Sequence, residues 1–232
     1  MLLSALVVIL NFTLKLLFIN SNSLSHILDT ASTITIILFG VLKFAINYLL
    51  YQISLDKQSD FIDNSFGTSY STTKSNKYYN NTFDKGVLRM GANSFESCFF
   101  TYNLAIKSLA SKWVINMFVI IFMFILALQG YNNALSVILQ LALPLYLLSE
   151  ALHYSIFCLR MKNILDRFCR VYNDLKEITQ LKSKEPEIIL LVINYETTLS
   201  TFNLLLGEKV YKKHNPQLSR KWEKLKQEYK IQ

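Results

Sequence analysis

Two uncharged apolar runs separated by a five-residue turn constrain this chain more than any other feature. Residues 113–128 hold one amide, Asn116, and otherwise only aliphatic, aromatic and methionine side chains; residues 134–149 are interrupted only by Ser136, Gln140 and Ser149. Between them lies Gln129-Gly130-Tyr131-Asn132-Asn133. At 1.5 Å of rise per residue each run covers about 24 Å or slightly more, close to one hydrocarbon thickness. Lipid offers no partner for a free backbone N–H or C=O, so such runs form helices. Pro144 predicts a kink in the second one.

Two further blocks obey the same logic. Residues 2–19 are apolar apart from a few polar groups, among them Lys15 near one end. No basic residue precedes this block and Phe18-Ile19-Asn20-Ser21 is a poor cleavage site, so it is expected to stay as a first span. Residues 31–51 form a second apolar block that carries Lys43 and Asn47. A charge that deep in an apolar helix either snorkels to the interface or serves a pore or an ion pair. Mean hydropathy over the whole chain is +0.28 although only 17% of residues are charged and a long segment is polar, so the apolar residues must be gathered into blocks.

Charge then orients the blocks. The turns at 20–29 and 129–133 carry no Lys or Arg, whereas residues 52–112 carry seven and residues 159–232 carry fifteen. Basic residues mark the cytoplasmic side. One topology satisfies all four counts: a multi-pass inner-membrane protein with both termini and the long loop in the cytoplasm. The expected fold is therefore an all-α integral membrane protein with four transmembrane helices and a cytoplasmic helical hairpin domain. Residues 1–51 hold spans one and two, 52–92 a polar cytoplasmic loop, 93–158 a helix leading into spans three and four, and 159–232 the cytoplasmic domain. The loop is rich in Ser, Thr, Asn and Tyr, and it is either a connector or a ligand-facing segment packed on the helices.

Within the last region the apolar residues alternate four and three apart. Met161, Leu165, Phe168, Tyr172 and Leu175 make one stripe; Ser183-Lys184-Glu185-Pro186 breaks it; Ile188, Val192, Tyr195, Leu199, Phe202 and Leu206 make the next. Two such seams joined by a short turn predict an antiparallel hairpin, with the second stripe a candidate for oligomerisation or partner binding. A third short helix is expected after Asn215-Pro216, with Leu218, Trp222, Leu225 and Tyr229 on one face.

Chemistry is sparse. The six glycines form no phosphate-cradling loop, and His26, His153 and His214 fall in different regions. Cys98, Cys158 and Cys169 have neither CxxC spacing nor an outer-side pairing, so they read as buried or cytosolic thiols. No catalytic residue, metal ligand or cofactor is expected, and the fifteen tail cations set against nine acids are too dilute for direct nucleic-acid binding. Glu150 and His153, one helical turn apart at the inner end of the fourth span, are the one acid–base pair. Lys43, Asn47, Gln140, Glu150 and His153 are the candidate pore or interface residues.

The arrangement resembles the SLATT-type and related four-transmembrane effectors of bacterial conflict systems. The segment Ile193-Asn194-Tyr195-Glu196 and the stretch from Asn215-Pro216-Gln217-Leu218-Ser219 to Trp222 are similar in character to the tails of such proteins. The resemblance implies an anti-phage effector that oligomerises after a cytoplasmic trigger, either a partner protein or a nucleotide second messenger, and then permeabilises or depolarises the inner membrane. The other reading open to these residues is a membrane-anchored sensor or scaffold subunit that recruits a soluble partner and conducts nothing. A transporter fits poorly, because so few polar groups lie at mid-span.

Overall fold

The computed structural model describes residues 22–71, 81–127, 134–175, 181–204 and 206–231. The expected first span and the 129–133 turn lie outside these residues. Among the described residues every regular element is a helix: α1 (Asn22–Phe66), α2 (Val87–Ala127), α3 (Ala134–Leu175), a 3-10 turn (Leu181–Lys184), α4 (Glu185–Phe202) and α5 (Glu208–Glu228). Two of them contain a stretch long and apolar enough to cross a membrane, α1 over Thr33–Phe66 and α2 over Val87–Phe122.

The chain divides into two compact units, Met1–Ile53 and Ser54–Gln232. In the first unit α1 exposes a broad apolar face: Ile34, Ile37, Leu38, Val41, Leu42, Phe44, Tyr48 and Leu49 are all exposed, Phe44 to 75%. An exposed apolar face of that breadth needs an apolar medium against it. In the second unit the far half of α2 also exposes an apolar face, with Val114, Phe118, Ile121, Phe124 and Ile125 exposed, while Asn116 and Val119 are buried.

Nearer its start α2 belongs to a conventional core. Phe95 is fully buried and meets four rings: Phe168 (centroids 5.6 Å apart, stacked), Tyr172 (5.2 Å, stacked), Trp222 (5.1 Å, edge-on) and Tyr229 (5.9 Å). Offset and edge-on pairs of this kind add to what area burial alone supplies. Around them pack Met161, Phe157, Ile188, Leu191, Leu218 and Cys98, so α2, α3, α4 and α5 share one centre. The α3 stripe falls where its spacing predicts, with Met161, Phe168 and Tyr172 buried and Leu175 packed against the core.

The α4 stripe is buried as well, and this changes its assignment. Ile188, Val192, Tyr195 and Phe202 are buried, and Leu199 and Leu206 pack on the same core. Expected as a surface for oligomerisation or a partner, the stripe is instead spent inside one chain, because α2 and α3 both lie against that face of α4. The apolar residues α4 leaves outside are Ile189, Leu190 and Ile193. Pro186 stands in the first turn, as its missing N–H allows, with Glu185 and Glu187 beside it to favour the positive helix end. Asn203 ends the helix in the left-handed conformation (φ 42°, ψ 46°), its N–H bonded to the Leu199 carbonyl at 2.8 Å.

Two boundaries differ from expectation. The polar loop does not begin at residue 52: α1 continues to Phe66, with Phe61 buried in the core. Asp63 organises the turn after α1, its buried carboxylate accepting from the Thr68 hydroxyl (2.7 Å) and from the N–H groups of Tyr70 and Ser71 (both 2.8 Å). Past the loop α2 starts at Val87, ahead of Asn93. The last helix likewise starts at Glu208, and Pro216 lies inside it rather than opening it. Gly207 is the extended residue before its first turn, its carbonyl accepting from Val210 and Tyr211.

Candidate functional site

Glu150 and His153 lie where α2 and α3 leave their uncharged runs. Glu150 and His153 do not act as a pair; each has a partner on another helix. The Glu150 carboxylate faces the Lys112 ammonium of α2, Oε1 to Nζ 3.7 Å, and that ammonium also lies over the Tyr154 ring, 5.7 Å from its centroid. Glu150 Oε2 is buried with no hydrogen-bond partner among the described residues. One residue along α2, the Trp113 indole N–H donates to Ser155 Oγ at 3.0 Å, and that hydroxyl donates to the Ala151 carbonyl at 2.8 Å. Lys112–Glu150 and Trp113–Ser155 thus clamp α2 to α3 at one level.

His153 packs against Phe202, the last residue of α4, with centroids 4.5 Å apart and ring planes tilted by 32°. Phe157 touches the same ring (5.6 Å), and the Arg160 guanidinium lies 5.4 Å from its centroid. The residues from 153 to 160 on α3 therefore hold the end of α4 by aromatic contacts and a cation–π contact on the same ring. Further along α4, Tyr195 and Thr101 of α2 share a hydrogen bond of 3.3 Å. At the opposite end the Lys184 ammonium bridges Asp174 of α3 (2.8 Å) and Glu187 (3.1 Å). The hairpin is fastened at both ends.

The remaining candidates lie elsewhere. Lys43 and Asn47 are exposed on α1 in the first unit. Gln140 is on α3, and its side chain lies outside the described set. Among the described residues no three His, Cys, Asp or Glu side chains converge in a way that would hold a metal, and Cys98, Cys158 and Cys169 are free thiols. Sequence reasoning missed Lys112, Trp113 and the capture of Phe202. The signal available for Lys112 was its position, the last cation before an uncharged run.

No protein-family model, no curated protein and no solved structure matches this chain.

Proposed function

We propose that this chain is an inner-membrane effector of a bacterial anti-phage or conflict system, with four spans and both termini in the cytoplasm. It oligomerises after a cytoplasmic trigger and permeabilises or depolarises the membrane. The observation that carries the reading is the double fastening around residues 150–160. The helical domain is tied by Lys112–Glu150, Trp113–Ser155 and the Phe202 capture to the points where two apolar helix segments begin. A trigger that repacks α4 would release or turn those segments, because packed helices shift between discrete arrangements and do not deform continuously.

The test is induced expression in cells carrying a potential-sensitive dye, with the wild-type chain, Lys43→Leu and Phe202→Ala. Collapse of the potential by the wild type, abolished by Lys43→Leu and altered by Phe202→Ala, supports the proposal. An unchanged potential with intact protein in the membrane fraction rejects it.

A second reading, an anchored scaffold or sensor subunit that conducts nothing, is favoured by one observation. Ile189, Leu190 and Ile193 are exposed on the outer face of α4, where a soluble partner would find them. Loss of a co-purifying soluble protein on Ile193→Asp, with the membrane potential unaffected throughout, selects this reading.

A further inference from the structure

The first turns of α5 lie beside α2 at the end nearest its apolar run. Trp222 packs on Phe95 and Phe99 (5.1 and 5.7 Å), whereas Tyr229, further along the chain past α5, meets Phe95 (5.9 Å). The two helices therefore run antiparallel, and His214, two turns before Trp222, comes to the level of Lys107, two turns after Phe99, with the start of α5 beyond it. Six residues, about 9 Å, separate Lys107 from Trp113. An extended lysine side chain spans much of that distance, and a headgroup layer adds roughly 5 to 8 Å beyond the hydrocarbon.

Several cations collect at this level. Lys107, Lys209, Lys212 and Lys213 are exposed. Glu208 neutralises Lys212 at 2.6 Å, but no carboxylate pairs with Lys107, Lys209 or Lys213 among the described residues. Partial burial, and next the Lys107 and Lys213 ammoniums, hold the His214 imidazole below the usual histidine range. Exposed Tyr211, an aromatic with a polar tip, stands among them.

We propose that Lys107, Lys209 and Lys213 form a seat for the headgroups of anionic phospholipids on the membrane face of the helical domain. The inference rests on the membrane reading above and adds a lipid preference to it. Charge complementarity selects the partner, and distance selects these cations over others. Arg220, Lys221 and Lys224 are also exposed on α5, but they lie seven or more residues further on, at least about 10 Å further from the apolar run. That exceeds the ~8 Å over which salt screens a charged surface, so they contribute little.

The test uses the full chain in nanodiscs of phosphatidylcholine alone and of a phosphatidylcholine–phosphatidylglycerol mixture. Three forms are compared: wild type, Lys107→Gln/Lys209→Gln/Lys213→Gln, and the control Arg220→Gln/Lys221→Gln/Lys224→Gln. Native mass spectrometry counts retained phosphatidylglycerol, and NMR tracks the His214 ring through a pH titration. Expected are selective phosphatidylglycerol retention that falls on the order of fivefold per cation removed, a control that keeps it, and a His214 titration that moves upward in the anionic discs. Equal loss in both variants, or no selectivity in the wild type, overturns the seat. So does an equal His214 response to an oligonucleotide or to polyglutamate in phosphatidylcholine discs, which would identify a soluble acidic partner. A chain that enters neither disc fails the membrane reading itself, and the seat falls with it.

Discussion

Gly91 shows how closely two helices can approach when a side chain is left out. A methyl group there would overlap Ile188 Cγ2 of α4 and come within 2.8 Å of the Tyr172 hydroxyl of α3. Gly91→Ala is expected to cost about 1–3 kcal/mol by overpacking, read as a fall in the midpoint of thermal unfolding in detergent. The Tyr172 hydroxyl donates to the Leu88 carbonyl at 3.2 Å, and burial pushes its phenol well above the usual tyrosine range. The folded chain thus binds this proton more tightly than the unfolded chain does. The resulting stabilisation is intact below about pH 10, the value of a free phenol, and is lost as pH rises above it. Tyr172→Phe should flatten that alkaline decline in an unfolding series. Glu196 shows the same sign at a lower pH. Burial raises its pKa, a hydrogen bond from Gln58 partly opposing, so the charged form is the costly one at neutrality. Glu196→Gln is expected to raise the unfolding midpoint at pH 7, with the difference vanishing below about pH 4.

Among the elements, what could be read in advance was whatever a helix writes into its own spacing. The 161–175 and 188–206 stripes, the Pro186 start, and Leu218 and Trp222 facing inward all come from a four–three alternation that needs no knowledge of neighbours. What could not be read depends on partners far along the chain. Glu150 and His153 share one turn and look like a pair, yet Lys112, thirty-eight residues before Glu150, supplies the opposite charge, and Phe202 supplies a ring. The polar residues after position 52 hide a helix whose last turns are held by Phe61 in the core and by the Asp63 bonds to the loop. Pro216 reads as a helix start because proline suits a first turn, but Gly207 had already opened α5 two turns earlier. The Lys112–Glu150 clamp makes its own prediction. Lys112→Met leaves a half-buried carboxylate without its cation and should destabilise more than Glu150→Gln, and the double variant should recover most of the loss in a double-mutant cycle. Phe202→Ala, which empties the site held by His153, Phe157 and Arg160, is expected to cost about 3–5 kcal/mol. Protease cleavage between α4 and α5 should then become faster.

At the scale of the whole molecule, the described residues combine a ring-rich helical core with segments of α1 and α2 that expose many large apolar side chains. Membrane insertion is therefore expected to survive carbonate washing and to yield only to detergent. Reporters fused before Met1 and after Gln232 should both be active on the cytoplasmic side if the four-span topology holds, and a split result would reject it. The exposed apolar face of α1 has one more consequence. Hydrocarbon suits the broad apolar face of α1 and not the narrow strip opposite it, so that strip is the flank that would turn toward another helix. Gly40, Lys43 and Asn47 fall along a single line of α1, three and four positions apart. That line, with a notch that lets backbones come close and two polar groups beside it, is the mark by which a neighbouring helix would tell one side of the rod from the rest.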